Sequence, residues 1–310
     1  MKQFHGKMYL LGAFSLAGTS VITGYILTEK LNSFTITALS LGIVLICFLP
    51  FYGAKTLQTI KILTKNDWLM ILCQAVFGIF LFRTFLLFGV GLTSTLEAGV
   101  LTGTTPAVTS VLAFLILKEK LSGVTVLGVC CTVMGIVLLQ GINIFSAAFS
   151  VHHILGNFLI ICSAASESAF NIISRKHKTG ARERFALHIH PMVQTLLVAA
   201  IAFVLSIIPA LLERPWVSIP ALGWKEWFAL IWYGVIVTAL AFVFFYEGVK
   251  RCDAYITAAF SGMIPLTSML LSLLLLKEKM GYAQWIGGFL IIISMLLIGK
   301  STPLFLWKRR

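Results

Sequence analysis

The sequence predicts an all-α integral membrane protein with ten transmembrane helices, arranged as two inverted five-helix repeats with both termini in the cytoplasm. Three observations predict this fold class: the composition, ten separate apolar stretches, and an internal repeat. Hydrophobic residues make up 59% of the 310 residues, charged residues only 11%, and the mean hydropathy is +0.97. A soluble fold of this size needs a larger polar exterior. The composition therefore excludes a soluble globular protein, a disordered chain and a nucleic-acid binder.

Ten apolar stretches are separated by polar or charged residues. A helix needs about 20 apolar residues to cross a hydrocarbon core of about 30 Å. The ten predicted spans cover residues 8–28, 34–52, 68–89, 96–117, 122–141, 153–174, 187–211, 225–248, 254–276 and 281–299. The first is interpreted as a span because no small-residue cleavage site of a signal peptide follows it. Almost no sequence remains for an extramembrane domain, which argues against an enzyme acting in solution.

The distribution of Lys and Arg predicts the orientation of these spans. With the N-terminus, the even-numbered loops and the C-terminus on one side, that side holds 18 of the 24 basic residues. One more, Arg83, lies inside a span. The other side holds five: Lys30, Arg214, Lys225, Lys277 and Lys279. Because cytoplasmic loops carry the excess of Lys and Arg, both termini are predicted to be cytoplasmic, in a protein of the cell membrane.

An internal repeat appears when the chain is aligned with itself so that Trp68 falls on Trp227. In the same register and without a gap, Pro106 falls on Pro265, and the Leu-Lys-Glu-Lys sequence at 117–120 falls on the same four residues at 276–279. This register, called the repeat register below, covers the third to fifth and the eighth to tenth spans. The earlier parts align loosely at a different offset, with Leu11-Gly12 on Leu155-Gly156, and the chain therefore divides into halves at 1–145 and 146–310. Five spans are an odd number, so the second half enters the membrane in the opposite orientation, as in many secondary transporters.

The repeated motif resembles a known family. Residues 98–106 read AGVLTGTTP before LKEK at 117–120, and residues 257–265 read TAAFSGMIP before LKEK at 276–279. Over essentially the whole chain, this pattern is similar to the EamA-type members of the drug/metabolite transporter superfamily. The resemblance implies a small-molecule substrate, with amino acids as the first expectation. One departure is that Ala17-Gly18 stands where the family's first span usually carries Trp-Gly.

Glu167 is the sharpest candidate for a functional residue. It lies near the middle of the sixth predicted span, and Ser163 and Asn171 stand four residues before and after it. This spacing places the three side chains on one polar stripe of an otherwise apolar helix. A carboxyl group there can bind an ammonium group or carry a proton. The alternative is a neutral carboxyl group whose hydrogen bonds serve only helix packing.

Arg83 and Glu97 are further candidates because a charge within a span is costly, at roughly 2.5–3.5 kcal/mol. Arg83 lies beyond the midplane of the third span, and Glu97 begins the fourth. One interpretation is a packing ion pair between them, or a side chain that reaches the outer interface. The other is that Arg83 contacts an anion or a carboxylate of the substrate.

The fourth and ninth spans carry matched faces of small residues. Gly103 and Pro106 in one correspond to Gly262 and Pro265 in the other, and these four are predicted helix hinges because proline removes a backbone hydrogen bond. Close helix packing is the competing interpretation. Two polar members of these faces, Thr102 and Ser261, join the candidate substrate-binding residues.

The predicted function is a secondary transporter that exports small metabolites such as amino acids across the cytoplasmic membrane by alternating access. A multidrug exporter and a passive channel-like facilitator are the alternatives. The expected partners are the substrate, the lipid bilayer and protons, and no oligomeric state is predicted. We predict no enzymatic activity, no cofactor and no nucleic-acid partner. The six cysteines lack metal spacing, so we predict no metal and no disulfide.

Overall fold

The structure, a computed structural model, describes residues 2–117, 122–139, 151–176, 189–252, 257, 260–277 and 281–300. The described residues form helices and turns, and no strand occurs among them. We number the long helices in chain order. They are α1 (Lys2–Thr28), α2 (Ser33–Ile62), α3 (Lys65–Ala75, Val76–Leu81 and Phe82–Val90), α4 (Thr95–Leu101, Thr102–Thr104 and Thr105–Leu117), α5 (Gly123–Leu139), α6 (Val151–Lys176), α7 (Pro191–Leu212), α8 (Trp224–Ile231, Trp232–Leu240 and Ala241–Arg251), α9 (Met263–Leu271 and Ser272–Leu276) and α10 (Tyr282–Lys300).

Several of these helices are long and apolar enough to cross a membrane. Six meet that criterion among the described residues: Phe4–Thr28, Ser33–Ile62, Lys65–Val90, His152–Ser174, Pro191–Leu212 and Trp224–Arg251. Shorter apolar helices cover Gly123–Gly135, Met263–Leu276 and Trp285–Ser294. The total of ten spans stays a prediction. The boundary at 145/146 and most of the two Leu-Lys-Glu-Lys sequences lie outside the described residues.

The end of α2 corrects one boundary. We predicted that the second span ends at residue 52 and that a connection follows, but α2 continues through Pro50 to Ile62. Lys55 and Lys61, which follow the predicted boundary, therefore lie within the helix. Their long side chains can reach water while the backbone stays helical, and Lys61 lies in the last turn, where a positive charge stabilises the helix end.

Local hydrogen bonds explain how the chain reverses between helices. After α2, the Thr64 backbone N–H donates to Asp67 Oδ2 (2.9 Å), and the Asp67 N–H donates back to Thr64 Oγ1 (3.3 Å), which starts α3. Ser94 Oγ accepts from the Glu97 N–H (3.2 Å) at the start of α4. α1 and α8 run in opposite directions, because a Cβ atom on Gly6 would lie next to Cys252 and one on Gly12 next to Phe244. We call the end of the bundle where α1, α3 and α7 begin the N-face, and the opposite end the far face.

Helix contacts follow a regular pattern. α1 packs against α8 and α9, and α6 packs against α3 and α4. α2 packs against α7, and α5 packs against α10. Exchanging each helix for the one five places away in the chain reproduces this set of contacts. The inverted relation between the two halves itself stays a prediction.

Two helices contain π-helical stretches at corresponding positions of the internal repeat. α3 contains a π-helical stretch at Val76–Leu81, and α8 contains one at Trp232–Leu240. In the repeat register, the first stretch falls within the second. Such stretches are rare and frequently lie at functional sites.

Small residues allow the closest helix approaches. A Cβ atom on Gly18 of α1 would lie 2.6 Å from the carbonyl oxygen of Ile264 in α9, whereas a Cβ atom on Gly53 of α2 would meet no atom within 4 Å. Backbone cannot move aside as a flexible side chain can, so the position of Gly18 depends on the absence of a side chain.

This contrast gives a stability prediction. We expect Gly18→Ala to lower the free energy of unfolding by on the order of 1–3 kcal/mol through overpacking. Gly53→Ala, the matched control, is expected to stabilise α2 by about 0.5–1 kcal/mol. Melting temperatures of the two purified variants in detergent measure the difference. A Gly18→Ala variant as stable as Gly53→Ala would contradict this packing.

Candidate functional site

A cavity lies between α1, α3, α4, α6, α8 and α9. It contains about 610 Å³ of space that no protein atom fills, part of it open to the surroundings. Its walls are mostly apolar and aromatic. The lining residues are Ala13, Phe14, Ala17, Ser20, Gly78, Phe82, Thr102, Glu167, Phe170, Asn171, Val237, Ala241, Phe242, Phe245 and Ile264.

Among the described residues that line this cavity, Glu167 is the only one with an ionisable side chain. It projects from α6, and its Oε2 accepts a hydrogen bond from Thr105 Oγ1 of α4 at 3.0 Å. Asn171, one helical turn away, and Thr102 line the same cavity. The predicted polar stripe on α6 therefore faces a cavity at Glu167 and Asn171.

Aromatic rings form the wall beside Glu167. The Phe170 ring centroid lies 5.6 Å from that of Phe242 and 5.4 Å from that of Phe245. Phe14 of α1 meets Phe245 edge to face at 5.9 Å. Aromatic faces attract cations, so this wall and the carboxyl group of Glu167 favour the same kind of occupant, a cation with an apolar body.

Four of the seven candidate substrate-binding residues lie outside the cavity lining: Arg83, Glu97, Ser163 and Ser261. Ser163 is fully buried, and its hydroxyl donates to the Ile160 carbonyl in its own helix (2.7 Å). Ser261 is buried at the turn that precedes Met263–Leu271. Their predicted role in substrate binding stays a prediction that this arrangement does not favour.

Arg83 and Glu97 do not form the ion pair that we considered. Arg83 Nη1 donates to Ser40 Oγ at 2.8 Å, and Nη2 donates to Thr238 Oγ1 and to the Tyr233 carbonyl at 3.4 Å. The Arg83 guanidinium also stacks on the Tyr233 ring, 4.2 Å from its centroid. These contacts lie directly behind the cavity wall, because Phe82 and Val237, the chain neighbours of Arg83 and Thr238, line the cavity.

Glu97 belongs to a separate polar group at the far face, where α4 and α6 begin. Its Oε2 accepts from Asn157 Nδ2 (2.9 Å) and lies 2.8 Å from His153 Nε2. Thr93 Oγ1 donates to Asn157 Oδ1 at 2.5 Å. His153 and Asn157 are thus partners of a buried carboxyl group, Thr93 holds Asn157 in place, and together these contacts join the two helix starts.

The predicted hinges coincide with breaks in helical hydrogen bonding. In α4, Gly103 lies in the 3₁₀ turn Thr102–Thr104, just before Pro106. Ahead of α9, Gly262 lies in a turn before Pro265. In each half the missing proline N–H leaves the carbonyl four residues earlier without its helical donor. The Thr105 backbone N–H donates to the freed Thr102 carbonyl, and the Ile264 N–H donates to the Ser261 carbonyl (3.1 Å).

Sequence reasoning missed most of the cavity wall. Phe14 and Ala17 stand on a helix that carries many other apolar residues, so no local signal distinguishes them. Phe242 and Phe245 belong to the run FVFFY at 242–246, which is the one available signal for an aromatic site. Among the residues described, no three His, Cys, Asp or Glu side chains are placed to hold a metal ion.

Comparisons with known proteins agree with the motif. A profile of the EamA-like transporter family matches residues 6–140 and again 154–300. The chain is 29% identical over 309 residues to the Uncharacterized transporter YetK of Bacillus subtilis (strain 168). This match covers 97% of this chain and 89% of that protein. The chain is also 23% identical to the Uncharacterized transporter YyaM of the same organism, and this match covers 94% of this chain and 93% of that protein.

A solved structure extends the likeness to the fold. One crystal structure superposes with a TM-score of 0.64 at 22% identity, covering 94% of this chain and 95% of that one. At this identity the likeness concerns the fold alone.

Proposed function

The chain belongs to the EamA-like transporter family, and from this premise we propose that it is a secondary transporter of small amphipathic cations, with the cavity around Glu167 as the substrate site. The observation that carries this proposal is a single carboxyl group set among aromatic rings. No Lys, Arg or His belongs to the described lining. A carboxylate-bearing amino acid would find no cationic partner there, so the cavity supports an amine more strongly than a zwitterion.

The chemistry of Glu167 supports exchange of substrate for protons. A carboxylate in an apolar wall is costly unless it holds a proton or pairs with a cation. An organic cation and a proton therefore compete for the same group. A protein that alternately exposes this carboxyl group to the two sides exchanges one for the other, and an inward proton gradient then drives export.

The proposed architecture is ten spans in two inverted halves, with both termini cytoplasmic. The two family matches, at residues 6–140 and 154–300, support two related halves. The exchange of helix contacts between α1 to α5 and α6 to α10 supports their inverted relation. The excess of Lys and Arg on the N-terminal side supports the orientation, in a cell membrane.

Counterflow in proteoliposomes tests the function. The probe is labelled phenyltrimethylammonium, an aromatic cation that cannot cross lipid as a neutral base. We expect saturable uptake into vesicles loaded with unlabelled phenyltrimethylammonium. Phenylpropionate, which lacks a cation, should not compete, and phenylalanine should compete weakly.

Each outcome of that experiment separates the alternatives. Flux no higher than in protein-free vesicles would contradict the proposed transport of cations. Equal competition by phenylalanine would favour the amino-acid exporter predicted from the family resemblance. Flux that does not saturate would favour a channel-like facilitator, and competition by many unrelated cations would favour a multidrug exporter.

A further inference from the structure

Two buried polar clusters lie on either side of the cavity. The far-face cluster consists of Ser40, Arg83, Tyr233 and Thr238, from α2, α3 and α8. The N-face cluster consists of Gln74, Ser174, Gln194 and Tyr246, from α3, α6, α7 and α8. Neither is explained by the substrate site itself, because none of the eight residues lines the cavity.

The far-face cluster is built around a buried positive charge. Only 4% of Arg83 is exposed, and no carboxylate lies within salt-bridge distance of it in the described part of the chain. Its partners are two hydroxyl groups, one carbonyl group and the ring of Tyr233. These contacts join α2 and α3 to the π-helical stretch of α8.

The N-face cluster is built around the neutral amide of Gln74. Gln74 Oε1 accepts from Gln194 Nε2 at 3.1 Å and from the Tyr246 hydroxyl at 3.4 Å. Gln74 Nε2 donates to Ser174 Oγ at 3.3 Å. The four side chains are at most 9% exposed, and together they tie four helices to one another.

The internal repeat relates the two clusters. Gln74 falls on Tyr233 in the repeat register that aligns Trp68 with Trp227. One helical turn after them, Gly78 falls on Val237 in the same register, and both line the cavity. The far-face cluster lies on α2, α3 and α8. Their counterparts five places away in the chain are α7, α8 and α3, which are three of the four helices of the N-face cluster.

From these observations we propose that the two clusters are the two gates of the transport cycle, with Arg83 and Gln74 as their central positioning residues. This rests on the proposed alternating access. Hydrogen bonds suit a gate, because water can replace each partner when the helices separate. Tyr233 Oη, which makes no hydrogen bond within the described residues, would gain one from water on opening.

The gates differ in the strength of their contacts. The far-face cluster combines charge-assisted hydrogen bonds with a cation–π contact, whereas the N-face cluster uses neutral hydrogen bonds of 3.1–3.4 Å. We therefore expect the N-face gate to open more readily than the far-face gate.

Sided labelling of a cavity cysteine tests the proposal. All variants are made in a parent protein in which the six native cysteines are replaced. This parent carries one new cysteine, Ala17→Cys, in the cavity wall. A membrane-impermeant maleimide is added from one side of sealed vesicles at a time, and a cleavable N-terminal tag defines the N-face. Gln74→Leu should raise the labelling rate from the N-face by about tenfold, and Arg83→Met should do so from the far face.

Matched variants keep the result interpretable. Gln58→Leu, on an exposed position of α2, is the control and should label as the parent does. If Arg83→Met fails to fold, Ser40→Ala and Thr238→Val each remove a hydrogen-bond partner of Arg83 and so weaken the far-face gate. At the N-face, Gln194→Leu likewise removes a partner of Gln74.

Two results would overturn the gates. One is a labelling rate that rises from the same face in both Gln74→Leu and Arg83→Met. The other is that both folded variants label from each side at the rate of Gln58→Leu. Because labelling needs no substrate, sided changes without cation flux would support the gates and contradict only the proposed function. Cation flux without sided changes would contradict only the gates.

Discussion

Replacement of Glu167 with glutamine is expected to reduce uptake of an organic cation by at least about tenfold, which corresponds to about 1.4 kcal/mol. The amide keeps a hydrogen-bond acceptor for Thr105 Oγ1, so the contact between α6 and α4 is preserved. It carries no negative charge, so it neither pairs with a substrate cation nor releases a proton. Flux driven by an imposed pH gradient, compared with counterflow at equal pH, measures both losses.

The control for Glu167→Gln is Glu29→Gln. Glu29 follows the last residue of α1 and is exposed, so this change removes the same charge away from the cavity. Its flux should equal that of the unmodified protein. Glu167→Asp, which keeps the carboxylate on a shorter side chain, should retain part of the activity. Full flux with unaltered proton dependence in folded Glu167→Gln would remove Glu167 from the mechanism.

The sequence singles out Glu167 as a candidate because its signal is local. A carboxyl group four residues from Ser163 and from Asn171 defines one face of a helix, and helix geometry alone then predicts a polar surface. The structure refines this: Glu167 and Asn171 line the cavity, while the hydroxyl of Ser163 bonds its own helix. A serine hydroxyl can always find a carbonyl in the preceding turn, so spacing cannot distinguish the two uses.

The partners of Arg83 required tertiary structure. The third and fourth spans are adjacent in the chain, which made a pair with Glu97 plausible. The observed partners, Ser40 and Thr238, lie 43 and 155 residues away. No local pattern specifies contacts at such separations. The π-helical stretches of α3 and α8 are equally invisible in composition, because each is predominantly apolar like the rest of its span.

Family membership was predicted from the doubled Gly-x-x-Pro motif, and the two family matches confirm it. The motif is informative because each proline removes a backbone donor at a fixed place, and the chain must then break its helix there. It carries no information about the cavity wall, since Phe242 and Phe245 lie outside it. The proposed substrate class therefore rests on the arrangement of rings around Glu167 and not on the motif.

The position of Ala17 in the cavity lining gives the second large expected effect. Ala17→Trp adds an indole ring to this lining, on the same helix as Phe14, whose ring meets that of Phe245. We expect transport of phenyltrimethylammonium to fall by at least about tenfold, or about 1.4 kcal/mol. Transport of tetramethylammonium, which has the same charge without the ring, should fall much less. Competition curves for the two cations in the same proteoliposomes measure the difference.

Ala54→Trp is the matched control for Ala17→Trp. Ala54 is exposed on α2, away from the cavity lining, so the added ring there meets only the surroundings of the helix bundle. Its transport of both cations should equal that of the unmodified protein. If Ala17→Trp reduced both cations equally while remaining folded, the ring would be blocking helix movement and not the substrate space. Selective loss of the larger cation would instead place the apolar body of the substrate between α1 and the aromatic wall, with its charge at Glu167.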